Sequence, residues 1–160
     1  MRRTMTPQQI FEKLKEQFGD RVLELTENVD PFIRVSADAI AEIGRFLRDD
    51  EAMRFESLMC LSGVDYPEHL SLVYHLFSST HRHKITLKAE LGRENPRLPT
   101  VEGVWRVANW HERETYDMFG VVFEGHSDLR RILCPDDWEG WPLRKDYQVQ
   151  EYYRGIRVEV

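Results

Sequence analysis

At 160 residues and 19.1 kDa the chain has room for one compact domain with its own core, and 41% hydrophobic against 31% charged residues excludes wholesale disorder. A formal charge of -6, with no stripe of lysine or arginine to follow a phosphate backbone, argues against a nucleic-acid partner. No run approaches the roughly 18 consecutive apolar residues that cross a bilayer, and the amphipathic N-terminus lacks an apolar signal core, so neither a membrane helix nor a signal peptide is expected.

Thr6-Pro7-Gln8-Gln9 reads as an N-cap, a proline in the first helical position and a capping-box glutamine. Ile10, Phe11, Leu14 and Phe18 follow at helical spacing, and Gly19 ends the helix. "RVLELT" and "FIRV" alternate apolar residues and are separated by Asn28, Asp30 and Pro31, as in an antiparallel hairpin. Ser36 is the candidate cap of a second helix with Ile40, Ile43 and Leu47 inward. Three strands are expected next, "SLMCLSGVDY", "LSLVYHLFSS" and "HKITLKAEL", the last with one wet face. Polar turns at Tyr66-Pro67-Glu68-His69 and Ser79-Thr80-His81-Arg82 suit antiparallel neighbours.

After "GRENPRLP", Thr100 is a candidate cap for a segment on which Val104, Ala108, His111, Thr115 and Met118 or Phe119 share one stripe, closed by Gly120. Asn109 with Glu112 offers a second cap, so one bent helix or two short ones fit equally. From Cys134 onward periodicity disappears, while Trp138, Trp141, Tyr147, Tyr152 and Tyr153 need a surface to lie on. That surface is either the chain's own domain or a partner. The expected organisation is an α+β domain over residues 1–133, a mixed or antiparallel sheet with helices in the order α-ββ-α-βββ-α, and an extended tail over 134–160.

Chemistry has little support. Cys60 and Cys134 lie far apart with no metal-ligand spacing, which fits free thiols in a reducing compartment. "HERET" resembles the zinc-binding HExxH helix only until its last position, where Thr115 stands in place of histidine. His81 and His83 read as a solvated pair on a turn. No glycine-rich phosphate loop or nucleophile elbow occurs. Glu114 and Asp117 share a helical side, with Arg113 facing Asp117 one turn on, so an ion pair explains them more simply than acid-base catalysis. Glu114, at the edge of the apolar stripe, is expected to be half-buried and to need a cation. Arg130 and Arg131, returning after Gly120, are the candidates for a charge-assisted clamp on loop and tail.

The stretch "ERETYDMFGVVFEGHSDLRRIL" resembles the signature of the 30-kDa subunit family of respiratory complex I, carried by Glu112, Arg113, Glu114, Asp117, Phe119, Gly120, His126, Arg130 and Arg131. "SGVDYP", "ANW" and "PDDWEGWPLRKDY" extend the resemblance from about Phe55 onward. The chain departs from the family pattern at His126-Ser127-Asp128, where His-Pro-Asp is usual, and at Gly140-Trp141-Pro142, where Gly-His-Pro is frequent. The resemblance implies a scaffold subunit without flavin, iron-sulfur cluster or quinone site, packed against the 49-kDa-like subunit on the cytoplasmic side of the bacterial membrane. FMN and clusters would sit in neighbouring subunits, and the tail residues Trp138, Trp141, Arg144, Tyr147, Tyr152 and Tyr153 would lie across a neighbour. The alternatives are a homologous subunit of a membrane-bound hydrogenase or ferredoxin-fed relative, and, in another class, a free-standing enzyme using Glu114, Asp117 and His126.

Overall fold

The computed structural model describes residues 4–158. Helix α1 spans Pro7–Phe18 and carries the full capping box: the Gln9 N–H donates to Thr6 Oγ1, and the Gln9 side chain accepts from the Thr6 N–H. Strands β1 (Val22–Thr26) and β2 (Phe32–Val35) form the expected antiparallel hairpin. Ser36 does not cap the second helix. Its hydroxyl turns to Asp38, a 3-10 turn intervenes, and α2 runs Ile40–Asp49.

Strands β3 (Ser57–Asp65), β4 (Leu70–Ser78) and β5 (His83–Leu91) then form an antiparallel meander. The sheet order is β1-β2-β5-β4-β3, with β2 and β5 parallel. That one parallel pair follows from α2, which carries the chain across the sheet so that the meander returns beside β2. Val35, Leu72, Tyr74, Leu87 and Ala89 point into a single core shared with Ile10, Leu14, Ile43 and Leu47 of the helices. The alternate positions Arg34, Cys60, Ser62, His75, Thr86 and Lys88 remain partly or fully exposed, so the helices occupy one face. β5 has the one wet face its alternation foretold.

Helix α3 is a single helix, Ala108–Phe119, preceded by turns and not by a helical segment from Thr100. Two short strands escaped the periodicity: β6 (Arg97–Pro99) and β7 (Val122–Glu124) pair in parallel beyond the main sheet. β8 (Tyr152–Tyr153) and β9 (Ile156–Arg157) make a small hairpin in the tail. Strands of two or three residues show no alternation to read. The histidine pair is buried, contrary to the solvated reading. The Met5 N–H donates to His83 Nδ1 at 3.1 Å, His83 Nε2 donates to Met53 O at 2.6 Å, and burial pushes this imidazole below its ordinary value. The turn is overlaid by the N-terminal segment, a contact that no local pattern encodes.

Gly63 in β3 brings α3 onto the sheet. A Cβ there would meet Phe119 Cδ2 at 2.6 Å and Thr115 Cγ2 at 3.2 Å. Gly63→Ala is therefore expected to destabilise the fold by about 1–3 kcal/mol through overpacking, measured by urea unfolding; an unchanged midpoint would mean that the helix stands off the strand.

Candidate functional site

The charged residues of α3 that attract attention in the sequence turn inward. Asp117 is fully buried on the helix's last turn. Its Oδ2 accepts three consecutive backbone N–H groups, from Ile132 (3.0 Å), Leu133 (2.7 Å) and Cys134 (2.8 Å). Its Oδ1 accepts from Arg131 Nη1 at 2.6 Å. Successive N–H groups make a concave anion site, here filled by the chain's own carboxylate. Burial alone would raise the Asp117 pKa, but these N–H donors and the Arg131 guanidinium outweigh it and hold the carboxyl below its ordinary value.

Arg131 continues the network. Its Nη2 donates to Trp138 O and Gly140 O, both at 2.9 Å, and its guanidinium lies 4.7 Å from the Trp141 ring centroid. The C-terminal carbonyls of α3 are thereby provided for. Tyr116 O accepts from the Gly120 N–H, Asp117 O from Arg131, Met118 O from the Leu143 N–H and Phe119 O from Arg144 Nε. These are the orphan acceptors of any helix end, and two of their donors are cations suited to the negative pole of the helix. Gly120 sits at φ +73°, and a Cβ there would come within 2.5 Å of Trp141. Only glycine permits both the left-handed turn and the ring against it.

A second hub lies one turn earlier. Glu112, fully buried, accepts from Thr100 Oγ1 and from the Val101 N–H at 2.7 Å. Burial pushes its pKa up to about 7, against the lowering effect of those two donors and with help from the nearby Glu102 charge. His126 Nε2 lies 3.8 Å from Glu112 Oε2 and 3.6 Å from Glu102 Oε2. It pairs with Asn109 O at 3.1 Å, while Nδ1 accepts the Asp128 N–H at 3.0 Å, so both ring nitrogens are engaged within the chain. A third carboxylate, Asp65 at the end of β3, binds the Arg93 guanidinium and accepts the Lys145 N–H at 2.7 Å. Burial again works against it, and Arg93 and the Lys145 N–H hold it below its ordinary value.

Three comparisons bear on this arrangement. Residues 33–153 match the family described as the respiratory-chain NADH dehydrogenase 30 Kd subunit. The chain belongs to this family. A NADH-quinone oxidoreductase subunit of Chloroherpeton thalassium is 53% identical over 92% of the chain, which spans 63% of that relative's length. The corresponding NADH-quinone oxidoreductase subunit of Chlorobium phaeobacteroides is 49% identical over 92% of both chains. Among solved structures, the trypsin-resistant fragment of Nqo5 superposes with a TM-score of 0.61 at 29% identity, covering 75% of this chain and 99% of that one. A chain of the archaeal membrane-bound sulfane sulfur reductase, a respiratory membrane complex, gives a TM-score of 0.73 at 28% identity, covering 88% and 85%.

Within this 30-kDa-family chain the signature residues divide. Glu112, Arg113, Asp117, Phe119, Gly120, His126 and Arg131 are drawn into the helix and the segment that returns to it. Arg113 does not pair with Asp117; its Nε and Nη2 donate to the carbonyls of Arg130 and Arg131 at 3.2 and 3.0 Å. Arg130 turns its own side chain to Asp128 at the surface. Glu114 is exposed and has no ion-pair partner among the described residues, so the enclosed carboxylate that needs a cation is Asp117 instead. The expected apolar stripe is buried at Val104, Ala108, Thr115, Met118 and Phe119, and the returning segment meets the helix beside it at Arg113 and Asp117. Among the described residues no hydrogen bond or ion pair joins Glu114, Asp117 and His126 to one another.

The tail folds back in its first half. Trp141, Arg144 and Lys145 meet the domain as described, Tyr147 covers Gly140, and Trp138 lies 5.4 Å from Tyr153. Tyr153 Oη and Arg154 Nε both donate to Asp137, leaving Tyr152 and Ile156 exposed. Removing everything from Pro135 would strip donors from Met118 O, Phe119 O and Asp65.

Asp117→Asn puts an amide donor against the Arg131 guanidinium or the three N–H groups and leaves a buried cation without its counter-charge. Destabilisation by about 3–5 kcal/mol is expected in chemical denaturation; a loss under 1 kcal/mol would show the clamp to be incidental. Glu112 has the opposite pH sign. Its folded pKa lies above its unfolded one, so the fold keeps a proton that the unfolded chain releases, and stability falls as pH rises from about 4.5 to about 7. Glu112→Gln should therefore gain on the parent across that window, by up to about 3 kcal/mol, in urea titrations at a series of pH values; a constant offset would contradict it. Asp117 and Asp65 contribute stability above the unfolded carboxylate value and lose it as pH falls through their lowered ones.

Proposed function

We propose that the chain is a non-catalytic subunit of the peripheral arm of a proton-translocating NADH-quinone oxidoreductase, holding redox-carrying neighbours in position. In this reading it binds no flavin, cluster or quinone itself; FMN and iron-sulfur clusters belong to adjacent subunits, and the 49-kDa-like subunit is its main contact. It works on the cytoplasmic side of the bacterial plasma membrane, attached through the complex. Among the described residues no helix is long and apolar enough to cross a membrane.

One observation carries the reading beyond family membership. The buried carboxylates of this region are each held by groups of their own chain: Asp117 by four donors, Glu112 by Thr100 and Val101, Asp65 by Arg93 and Lys145. Charge here holds backbone in place, as suits a part that must keep its shape. The likeness to the sulfane sulfur reductase chain favours a second, related reading, a subunit of a respiratory membrane complex with another acceptor. The relatives near 50% identity, all named as quinone-linked, support the first.

Beyond Tyr147 the tail carries exposed Val149, Tyr152 and Ile156, an apolar edge suited to lie across a neighbour. Full-length tagged chain recovered from detergent-solubilised membranes is expected to bring NADH-quinone oxidoreductase subunits with it, identified by mass spectrometry. The isolated chain is expected to show no visible flavin or cluster absorbance and to oxidise no NADH, and a chain ending at Tyr147 to keep its melting temperature while losing its place in the complex. Unaided turnover, or recovery without any respiratory subunit, would overturn the proposal.

A further inference from the structure

The Met5 N–H donates to His83 Nδ1 at 3.1 Å, while His83 Nε2 meets the carbonyl of Met53 at 2.6 Å. An amide N–H only donates and a carbonyl only accepts, so the ring is bare at Nδ1 and protonated at Nε2. These two partners admit the neutral imidazole alone. The ring is 4% exposed and lies against Phe55, with 4.7 Å between ring centroids, which fixes its plane.

An imidazolium carries a proton on both nitrogens. Protonated at Nδ1, His83 would set one N–H against another, and turning the ring over would restore no acceptor. The Met5 N–H is then satisfied only by water, which it reaches by leaving the ring. Residues 4 and 5 are held to the start of β5 and the turn before it by this bond and by one from Thr4 Oγ1 to His81 O at 3.0 Å, and Met5 packs partly buried against the core. Thr6 is the natural hinge. It is extended, at φ -78° and ψ 157°, and its capping box with Gln9 belongs to α1 and not to the docked segment. A cleft of about 640 Å³ beside the segment, lined by Thr4, Met5, Gln9, Glu12 and Lys13, gives it room to lift.

The charges around His83 come from several elements. His81, on the turn before it, lies 5.6 Å away between ring centroids, and its Nε2 pairs with Glu51 O. Glu56, at the entrance to β3, accepts from the Ser79 and Thr80 N–H groups and the Ser79 hydroxyl. Helix α1 brings Glu12 and Lys13 to the cleft, the latter paired with Asp50 at 2.6 Å, while Thr4 and Met5 bring no charge. Burial lowers the His83 pKa and the His81 charge adds to it, against the opposite effects of the Met53 carbonyl and Glu56. Docking of the segment is therefore unaffected above the ordinary imidazole value and weakens as pH falls from there through the lowered one.

We propose that residues 4 and 5 form a pH-sensitive strap, closed on neutral His83 and released about Thr6 when the ring takes a proton from solvent at Nδ1. Release opens the Nδ1 edge of His83 to water and leaves the sheet, α1 and the Asp117 clamp in place. The strap acts in the isolated chain, whatever complex that chain joins.

Nitrogen-15 NMR and amide exchange on the full chain, from about pH 7.5 down to about pH 5, provide the test. At the upper end His83 should show a bare Nδ1 and a protonated Nε2. As pH falls, the Nδ1 resonance and the protection factor of the Met5 amide should titrate together, below the ordinary imidazole value. Protection at Met5 should drop by at least about tenfold while the amides of β4 keep theirs. Glu112 strengthens the whole fold as pH falls from about 7, so global opening would not imitate this loss. His83→Asn, with a non-titrating carbonyl oxygen near the Nδ1 position, should make Met5 protection independent of pH; the parent titration decides alone if that variant does not fold. A ring that titrates while the Met5 amide stays protected, a ring that stays neutral until β4 itself opens, titration at the ordinary value, or an Asn variant whose Met5 protection still falls with pH would each overturn the strap.

Discussion

The carboxylate of Asp117 inside the N–H groups of Ile132, Leu133 and Cys134 is the contact from which the rest of the functional region is built. A carboxylate buried without partners would cost several kcal/mol, and this one is met by three amides and a guanidinium. Because Arg131 also holds the carbonyls of Trp138 and Gly140, one buried charge ties the helix, the returning segment and the start of the tail together. The end of α3 is then closed by donors from further along the tail, and Gly120 admits Trp141 against it. Folded in this way, an irregular stretch of chain keeps a defined shape without belonging to any sheet.

Glu112 plays a related part under other electrostatic conditions. It fastens the Thr100–Val101 turn to the helix with two donors, and among the described residues His126 is the one basic side chain within ion-pair distance. Its pKa rises where that of Asp117 falls, although both are fully buried on one helix. Glu112 is the more deeply desolvated of the two, and Asp117 has more donors, one of them a guanidinium. In both cases a side chain of α3 organises segments that have no regular structure of their own. A member of the 30-kDa family can thus offer long surfaces from a small core.

Much of the fold was legible in the sequence because it rests on local chemistry. The Thr6–Gln9 capping box, the Gly19 stop and the alternation of β5 all reappear where they were read. The parallel pairing of β2 with β5 was not legible, since alternation gives the faces of a strand and not its neighbours. The burial of His81 and His83 depends on the N-terminal segment crossing their turn, a contact some 78 positions apart in sequence. At the candidate site the sequence offers Arg131 and both acids, but the apolar stripe singles out Glu114 as the one in need of a cation, and the structure encloses Asp117. Glu114 and Asp117 lie three residues apart, and only the angle at which the returning segment meets α3 decides that Asp117 is enclosed and Glu114 left in water. No signal within the helix could have separated them.

A buried carboxylate holds this segment rigid so that it can present a surface, and amide hydrogen exchange reads that rigidity directly. In the parent chain the N–H groups of Ile132, Leu133 and Cys134 should exchange as slowly as those of the central strands, although they lie outside any helix or strand, and Asp117→Asn should release all three together. Exchange at these amides as fast as at the exposed Asp136 N–H, or protection that survives Asp117→Asn, would contradict the account.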